Sequence, residues 1–444
     1  RRKSIVRIFG RRFRSMPATA MAAVLACALM TTATPAAAQD KPKKEKPKKG
    51  EPAKGKGLTA SKGFAPTLKK MTDATAAKDA ATLQAALAEG QASATTPDDK
   101  YLIGFYQLQL GIMNKDQAAQ GQGLDVMIDS GLTPAESIGV YNFYSGNFAY
   151  GAKNYAKAIQ RLEAAKAAGS TESALPLMLM DSYLNAGQVD QGLAIAKTSI
   201  DASRAAGQRP SDELYVRPIR ALQAAKRNAE AFDVMALRLR DYNQPAVWRQ
   251  TLFILLQQTP DKEVGLDVLR LMRAANAMTE RPEYLEYAAL ATEAALPGEV
   301  VSLIRAGRAS KVIPTPDAKL DEFYKSQSDR IGDEESTLTS YAQKPSTLSN
   351  PKVAGATGDA MVSYGRYADA VPLYKAALAA GGDKELWTYR LGVAQAYAGD
   401  TAGAKASFAQ IAGTRNRLAK LWVTKIDGAA APVAPTAAAP ATGG

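Results

Sequence analysis

Histidine is absent from this chain, and cysteine occurs once, as Cys27. Without imidazole there is no Ser-His-Asp or Cys-His machinery, no histidine general base and no histidine metal ligand. A single thiol excludes a disulfide framework and any zinc or iron–sulfur centre built on several cysteines. Only carboxylate or lysine chemistry remains. Aromatic residues are also scarce, at 7% of 444. β-Branched residues are scattered, and no hairpin turn is flanked by alternating apolar positions, so strand signals are missing. The expectation is a non-enzymatic protein without cofactor or metal.

What is present begins with charge. The formal net charge is +13, but it is unevenly placed. Residues 1–38 carry seven basic side chains and no acid, and residues 39–62 carry nine lysines against Asp40, Glu45 and Glu51. Residues 63–444 hold 40 basic and 40 acidic side chains, so the body is formally neutral. The first segment reads as a secretory signal: basic residues to Arg14, a weakly apolar Ala-rich stretch, then Ala36-Ala37-Ala38 before Gln39. Its apolar core falls short of the roughly 20 residues that span a bilayer. Cleavage near Ala38 would leave a periplasmic or secreted protein. Val24-Leu25-Ala26-Cys27 also resembles a lipoprotein box, with Cys27 as the lipidated residue.

Residues 39–62 read as a Lys/Pro-rich disordered linker, within which 41–56 (KPKKEKPKKGEPAKGK) contain nothing apolar to offset the entropy of ordering and are expected to stay extended. They serve either as a spacer or, from Lys41 to Lys56, as a contact for anionic lipid or wall polymer. That second reading would make the chain a cell-envelope adaptor. Nucleic acid is a poor fit, because the run has no aromatic side chain to stack on bases. Residues 428–444, rich in Ala and Pro, read as a second disordered tail.

Between these ends the chain repeats. KNYAKAIQRLEAA (153–165), GQVDQGLAIAKTS (187–199), GRYADAVPLYKAA (365–377) and GDTAGAKASFAQI (399–411) share a turn-forming start and a small residue five places on. Those small residues are Ala158, Gly192, Ala370 and Ala404, and worn copies place Ala231, Gly265 and Val300 in the same slot. Successive spacings of 34, 39, 34, 35, 70 and 34 imply one worn repeat hidden in 310–350. Twelve residues before three of these slots stand Gly146, Gly358 and Gly392, where small side chains would let paired helices approach closely.

This pattern resembles the tetratricopeptide repeat family, whose unit is a helix–turn–helix of about 34 residues. Tyr155 and Tyr367 match the family's aromatic at the inter-helix turn, and Leu391-Gly392 its Leu-Gly pair. Met180, Ile219, Phe253 and Ala288 depart from glycine at the first-helix slot, which loosens the register of the middle repeats. The resemblance implies an all-α, right-handed superhelical solenoid of antiparallel helix pairs with disordered termini. Its repeats would occupy 63–310 and 352–427, with 311–351 a degenerate repeat or irregular connection. Residues 64–95 read as an N-terminal capping pair, and Asn416–Ile426 as a solvent-facing final helix with Leu418, Leu421 and Trp422 turned inward.

In that family the first helix of each pair lines a concave wall that receives peptides or partner proteins. By slot the wall would carry Phe143, Asn147, Tyr150, Asp181, Asn185, Arg220, Gln223, Gln250 and Gln257. The stretch 141–150 (YNFYSGNFAY) has five aromatics in ten residues, too many to face the core together on one helix. The implied function is a periplasmic interaction scaffold; partner identity and oligomeric state are not legible. Three other signals point nowhere. Glu172-Ser173 lacks a lytic transglycosylase context, Asp333-Glu334-Glu335 reads as a solvated helix start, and GATGD (355–359) has neither the strand nor the lysine of a phosphate loop.

Overall fold

The computed structural model describes residues 57–430. The secretory segment, Cys27, the lysine run at 41–56 and the tail beyond Ala430 lie outside the described residues. Every regular element among the described residues is a helix. The described residues divide into two compact bodies, 57–198 and 199–430.

The first body contains α1 (Ala65–Ala76), α2 (Ala80–Ser93), α3 (Pro97–Met113), α4 (Gln117–Asp129), α5 (Ala135–Gly151), α6 (Tyr155–Ala167) and α7 (Leu175–Asn185). The division falls within α8 (Val189–Ala205). The second body continues with α9 (Glu213–Ala224), α10 (Asn228–Asp241), α11 (Pro245–Gln257), α12 (Lys262–Ala274), α13 (Arg281–Glu293) and α14 (Pro297–Ala309). It ends with α15 (Ala318–Ala342), α16 (Pro345–Leu348), α17 (Pro351–Ser363), α18 (Tyr367–Ala379), α19 (Lys384–Tyr397), α20 (Thr401–Phe408) and α21 (Asn416–Ala430).

Helix starts follow local chemistry. Two residues before the second helix of a pair, a residue with positive φ turns the chain: Lys115, Lys153, Gly187, Gly365 and Gly399 are examples. The next residue caps the helix in several pairs, with Asp116, Asn154 and Asp400 accepting hydrogen bonds from first-turn amides. The repeat slots then fall in one place. Ala158, Gly192, Ala231, Gly265, Val300, Ala370 and Ala404 are each the fourth residue of their helix, and all are buried.

The paired glycines act as spacers. A Cβ on Gly146 would lie 2.7 Å from Leu162, one on Gly358 2.8 Å from Tyr374, and one on Gly392 2.8 Å from Phe408. Where the first helix carries Met180 instead, the close approach moves to the second helix: a Cβ on Gly192 would lie 2.5 Å from Leu184. Register in that pair is kept by exchanging which helix is small.

The two bodies use these pairs differently. In the first, helices pack on their sequence neighbours, with further contacts between α1 and α3 and between α5 and α7. In the second, α21 turns back onto α10 and α12, and α14 meets α17. One apolar cluster therefore joins Phe232, Trp248 and Leu269 to Phe408, Leu421 and Trp422. Helix α12 is buried from Val264 through Met272 without a break, as a central helix must be.

Four expectations change. Residues 57–62 are not free linker, because the amides of Thr59 and Ser61 donate to Asp98 and Asp99 at 2.9 Å each. Of the two readings of 311–351, the worn repeat is not what the structure holds: the main element is the 25-residue α15, followed by the one-turn α16. The acidic triplet lies inside α15 rather than at its start, and Glu334 accepts from the Tyr364 hydroxyl at 2.6 Å. The final helix turns Leu418, Leu421 and Trp422 inward as expected, but it is no solvent-facing cap: it closes on α10 and α12, more than 140 residues earlier, with Arg415 just before it bonded to Asp267.

Candidate functional site

The first-helix residues that the repeat resemblance assigns to a groove fall in both bodies. In the first, α5 and α7 lie side by side. Phe143 does not face out. It is 3% exposed, packs with Ala158, Leu162 and Leu179, and meets Tyr144 edge-on at 5.3 Å. Burial of an apolar ring between pairs outweighs presentation on a wall, so Phe143 is corrected to a core residue. Asp181 is also buried, at 8% exposed, and accepts a hydrogen bond from the Tyr150 hydroxyl. Those two side chains join α5 to α7. Asn185 is exposed and donates to the Asp181 carbonyl at 2.8 Å, while Asn147 is half-buried. In the second body Arg220, Gln250 and Gln257 are exposed and Gln223 is half-buried. Gln250 accepts from Arg238 of α10 at 2.9 Å.

Sequence reading missed the charged interior of the second body. Arg270 of α12 grips Glu299 of α14 with two bonds of 2.8 Å and reaches Asp267 at 3.2 Å. Arg415 bonds Asp267 at 2.8 Å and Glu263 at 3.1 Å, and Arg390 bonds Glu263 at 2.8 Å and also Asp359. Tyr287 donates to Glu299, and Tyr374 donates to Asp359 at 2.7 Å. Burial opposes the charge on Glu299, but the Arg270 guanidinium outweighs it and holds its pKa below the usual value. At Asp359 burial wins over Arg390 and Arg270, and the pKa rises. These groups are engaged with one another, so their chemistry is that of a clamp.

Beside this clamp a cleft of about 580 Å³ opens between α12, α14, the α17–α18 turn and the end of α19. Gly298 makes the approach possible, since a Cβ there would sit 2.7 Å from both the Ser363 carbonyl and the Tyr364 ring. Tyr367 and Tyr397 stack at 4.4 Å with rings 12° apart, and Tyr397 meets the edge of Trp422 at 5.6 Å. Tyr397 is nonetheless 40% exposed. Burial, chiefly, raises the pKa of Tyr367. Two lining guanidiniums face neutral partners: Arg273 donates to the Ser302 hydroxyl at 3.1–3.2 Å, and Arg305 to the Tyr324 hydroxyl at 3.1 Å. The usable signal for this site was Tyr367 at its turn; its pairing with Tyr397 needed the packing of successive repeats.

A wider groove of about 970 Å³ runs between α10 and α20–α21, with Phe408 and Ile411 among its apolar lining and the Lys405–Asp427 pair, 2.5 Å apart, on its α20–α21 wall. Among the described residues, no three His, Cys, Asp or Glu side chains are grouped to hold a metal ion. No described helix is long and apolar enough to cross a membrane.

No family model matches the chain, and no curated protein does. Among solved structures the chain is similar to one titled "Structure of Naa15/Naa10 bound to HypK-THB", at 13% identity and a TM-score of 0.24. The match covers 84% of this chain and 56% of that one, so this chain spans little more than half of that protein's length. A likeness at that score has no bearing on function.

Proposed function

We propose that this protein is a non-catalytic interaction scaffold, exported to the periplasm, that holds a peptide or partner protein on its helical-repeat surface. The observation that carries this reading is where the ionisable groups are used. In the first body Asp125 accepts from Ser145, Lys157 and Arg161, tying α4 to α5 and α6. In the second, the α12 clamp does the same over longer range. Acids and bases are used to fix helices rigidly, and a rigid repeat surface is what a scaffold presents. The first-helix surface presents amides, half-buried at Asn147 and Gln223 and exposed at Asn185, Gln250 and Gln257. Such groups suit recognition of backbone and polar side chains.

The test is co-purification from a periplasmic fraction, wild type against Asn147→Ala/Asn185→Ala and against Gln250→Ala/Gln257→Ala. The reading expects a defined partner set that at least one of these pairs depletes. An identical set in all three preparations removes the first-helix surface from the account. Mass spectrometry of the mature N-terminus tests export: a start at Gln39 supports it, and retention of residues 1–38 in the soluble cell interior overturns it.

A further inference from the structure

We infer that the cleft between α12, α14 and the α17–α18 turn is a docking site for an acidic segment of a partner protein, in which a glutamate or aspartate lies beside an aromatic side chain. The inference rests on the scaffold reading and names the chemistry of one partner. It concerns a surface other than the first-helix wall.

Charge complementarity carries the choice of occupant. The cleft's acids are Glu299 and Glu335, and its guanidiniums are Arg270, Arg273 and Arg305. Arg270 and Glu299 satisfy each other through two bonds of 2.8 Å. Arg273 and Arg305 then outnumber Glu335, the exposed acid of the lining, and among the described residues both hydrogen-bond only neutral hydroxyls. A guanidinium presents a planar fork of donors that fits a carboxylate, and its charge-assisted bonds are about twice as strong as bonds to a hydroxyl. A carboxylate entering the cleft replaces weak partners with a strong one, without breaking the α12 clamp beneath.

The tyrosines supply the second half of the recognition. Tyr397 is exposed, yet it is held from behind by Tyr367 and at its edge by Trp422. A large apolar ring fixed in place and left open to water is the kind of anchor on which binding energy concentrates, together with arginine. The cleft volume of about 580 Å³ lies within the range of specific ligand sites and admits two or three side chains. A lysine-bearing segment would meet two like charges, and a purely apolar one would strand the guanidiniums against it.

The experiment titrates full-length protein with fluorescein-labelled, C-terminally amidated hexapeptides in which two glutamates flank a Phe or Tyr. Matched peptides carry Gln in place of Glu. Amidation removes the terminal carboxylate, so only side-chain acids are read. Wild type is expected to bind acidic members at least roughly tenfold more tightly than their Gln counterparts, with affinity falling as salt rises. Arg273→Gln/Arg305→Gln should lose that preference, and Arg273→Lys/Arg305→Lys, which keeps the charge without the fork, should retain part of it. Tyr397→Ala should weaken acidic and Gln peptides alike. A preference that persists in the Gln double variant overturns the proposal, as does no binding by any acidic member up to about 1 mM, the weak end of peptide affinity. Failure here, with a partner set still depleted by the first-helix substitutions, removes this cleft alone. Peptide binding with no partner depleted by those substitutions removes the first-helix reading alone.

Discussion

The two bodies are built from the same helix pairs and are held together in different ways. In the first, each pair relies on its neighbours, and polar links such as Asp125–Arg161 and Tyr150–Asp181 span some 30 residues. In the second, Arg390–Glu263 and Arg415–Glu263 link residues 127 and 152 apart. A body of the first kind is stabilised as a sum of local interfaces and can open from an end. A body of the second kind has its last helix bonded to an early one, so opening either loosens both. The difference comes from a few charged side chains on α12, on α19 and just before α21, not from the repeat unit.

The largest expected effect breaks the closure. Asp267 is 1% exposed and holds both Arg270 and Arg415. Asp267→Ala leaves two buried guanidiniums each with one acid partner fewer, Arg270 keeping Glu299 and Arg415 keeping Glu263, at a cost of about 3 kcal/mol. Hydrogen exchange should show α12 and α21 losing protection together while α3–α6 keep theirs. Loss confined to α12 would mean that the ends of the second body are independent, and the contrast between the bodies would dissolve.

A smaller effect, about 2 kcal/mol, lies in the first body and depends on pH. Asp99 is fully buried and accepts backbone N–H bonds from Ser61, Thr95 and Thr96 at 2.9–3.1 Å. Burial opposes its charge, but these amides overcome it and hold the pKa at about 2, below the usual 3.8. A depressed pKa stabilises the fold above the unfolded value, and the gain is lost as pH falls through the folded value. The gap between wild type and Asp99→Asn, read by exchange in α1–α3, should be about 2 kcal/mol at pH 7. It should close as pH drops from about 4 to 2. A gap that does not change with pH would assign the loss to packing.

Much of the repeat architecture could be read from the small residues alone, because close helix approach demands them at fixed places. Ala158, Ala370 and Ala404 identify the fourth residue of their helices without any structure. The site was far less legible. Phe143 sits on a first helix with polar neighbours, and only the structure shows Leu162 and Leu179 packed around it. Glu263, Asp267 and Arg270 are spaced three or four apart, which on a helix reads as a solvated face. Their partners are far away in sequence, and spacing carries no information about which distant arginine returns. The Tyr367–Tyr397 stack was hidden for the same reason, as its rings belong to successive repeats.

Glycine separates the bodies on a finer scale. Gly104 and Gly123 bring α3 and α4 so close that a Cβ on Gly104 would lie 2.7 Å from the Gly123 carbonyl and 2.8 Å from the Met127 amide. Backbone cannot step aside, so Gly104→Ala should cost about 1–2 kcal/mol despite the better helix propensity of alanine. Gly265, the fourth residue of α12 at the centre of the second body, has as its nearest neighbours methyl groups of Leu290 and Leu256 at 3.7 and 3.8 Å. That is ordinary contact, with room for one more carbon. Gly265→Ala should therefore stabilise the second body by about 0.5–1 kcal/mol, the propensity gain alone. The α12 clamp, not the Gly265 slot, would then be what holds α12 in place within the second body. A loss of stability at Gly265 comparable to that at Gly104 would mean that close approach matters equally in both bodies. The clamp would then add to the repeat packing instead of replacing it.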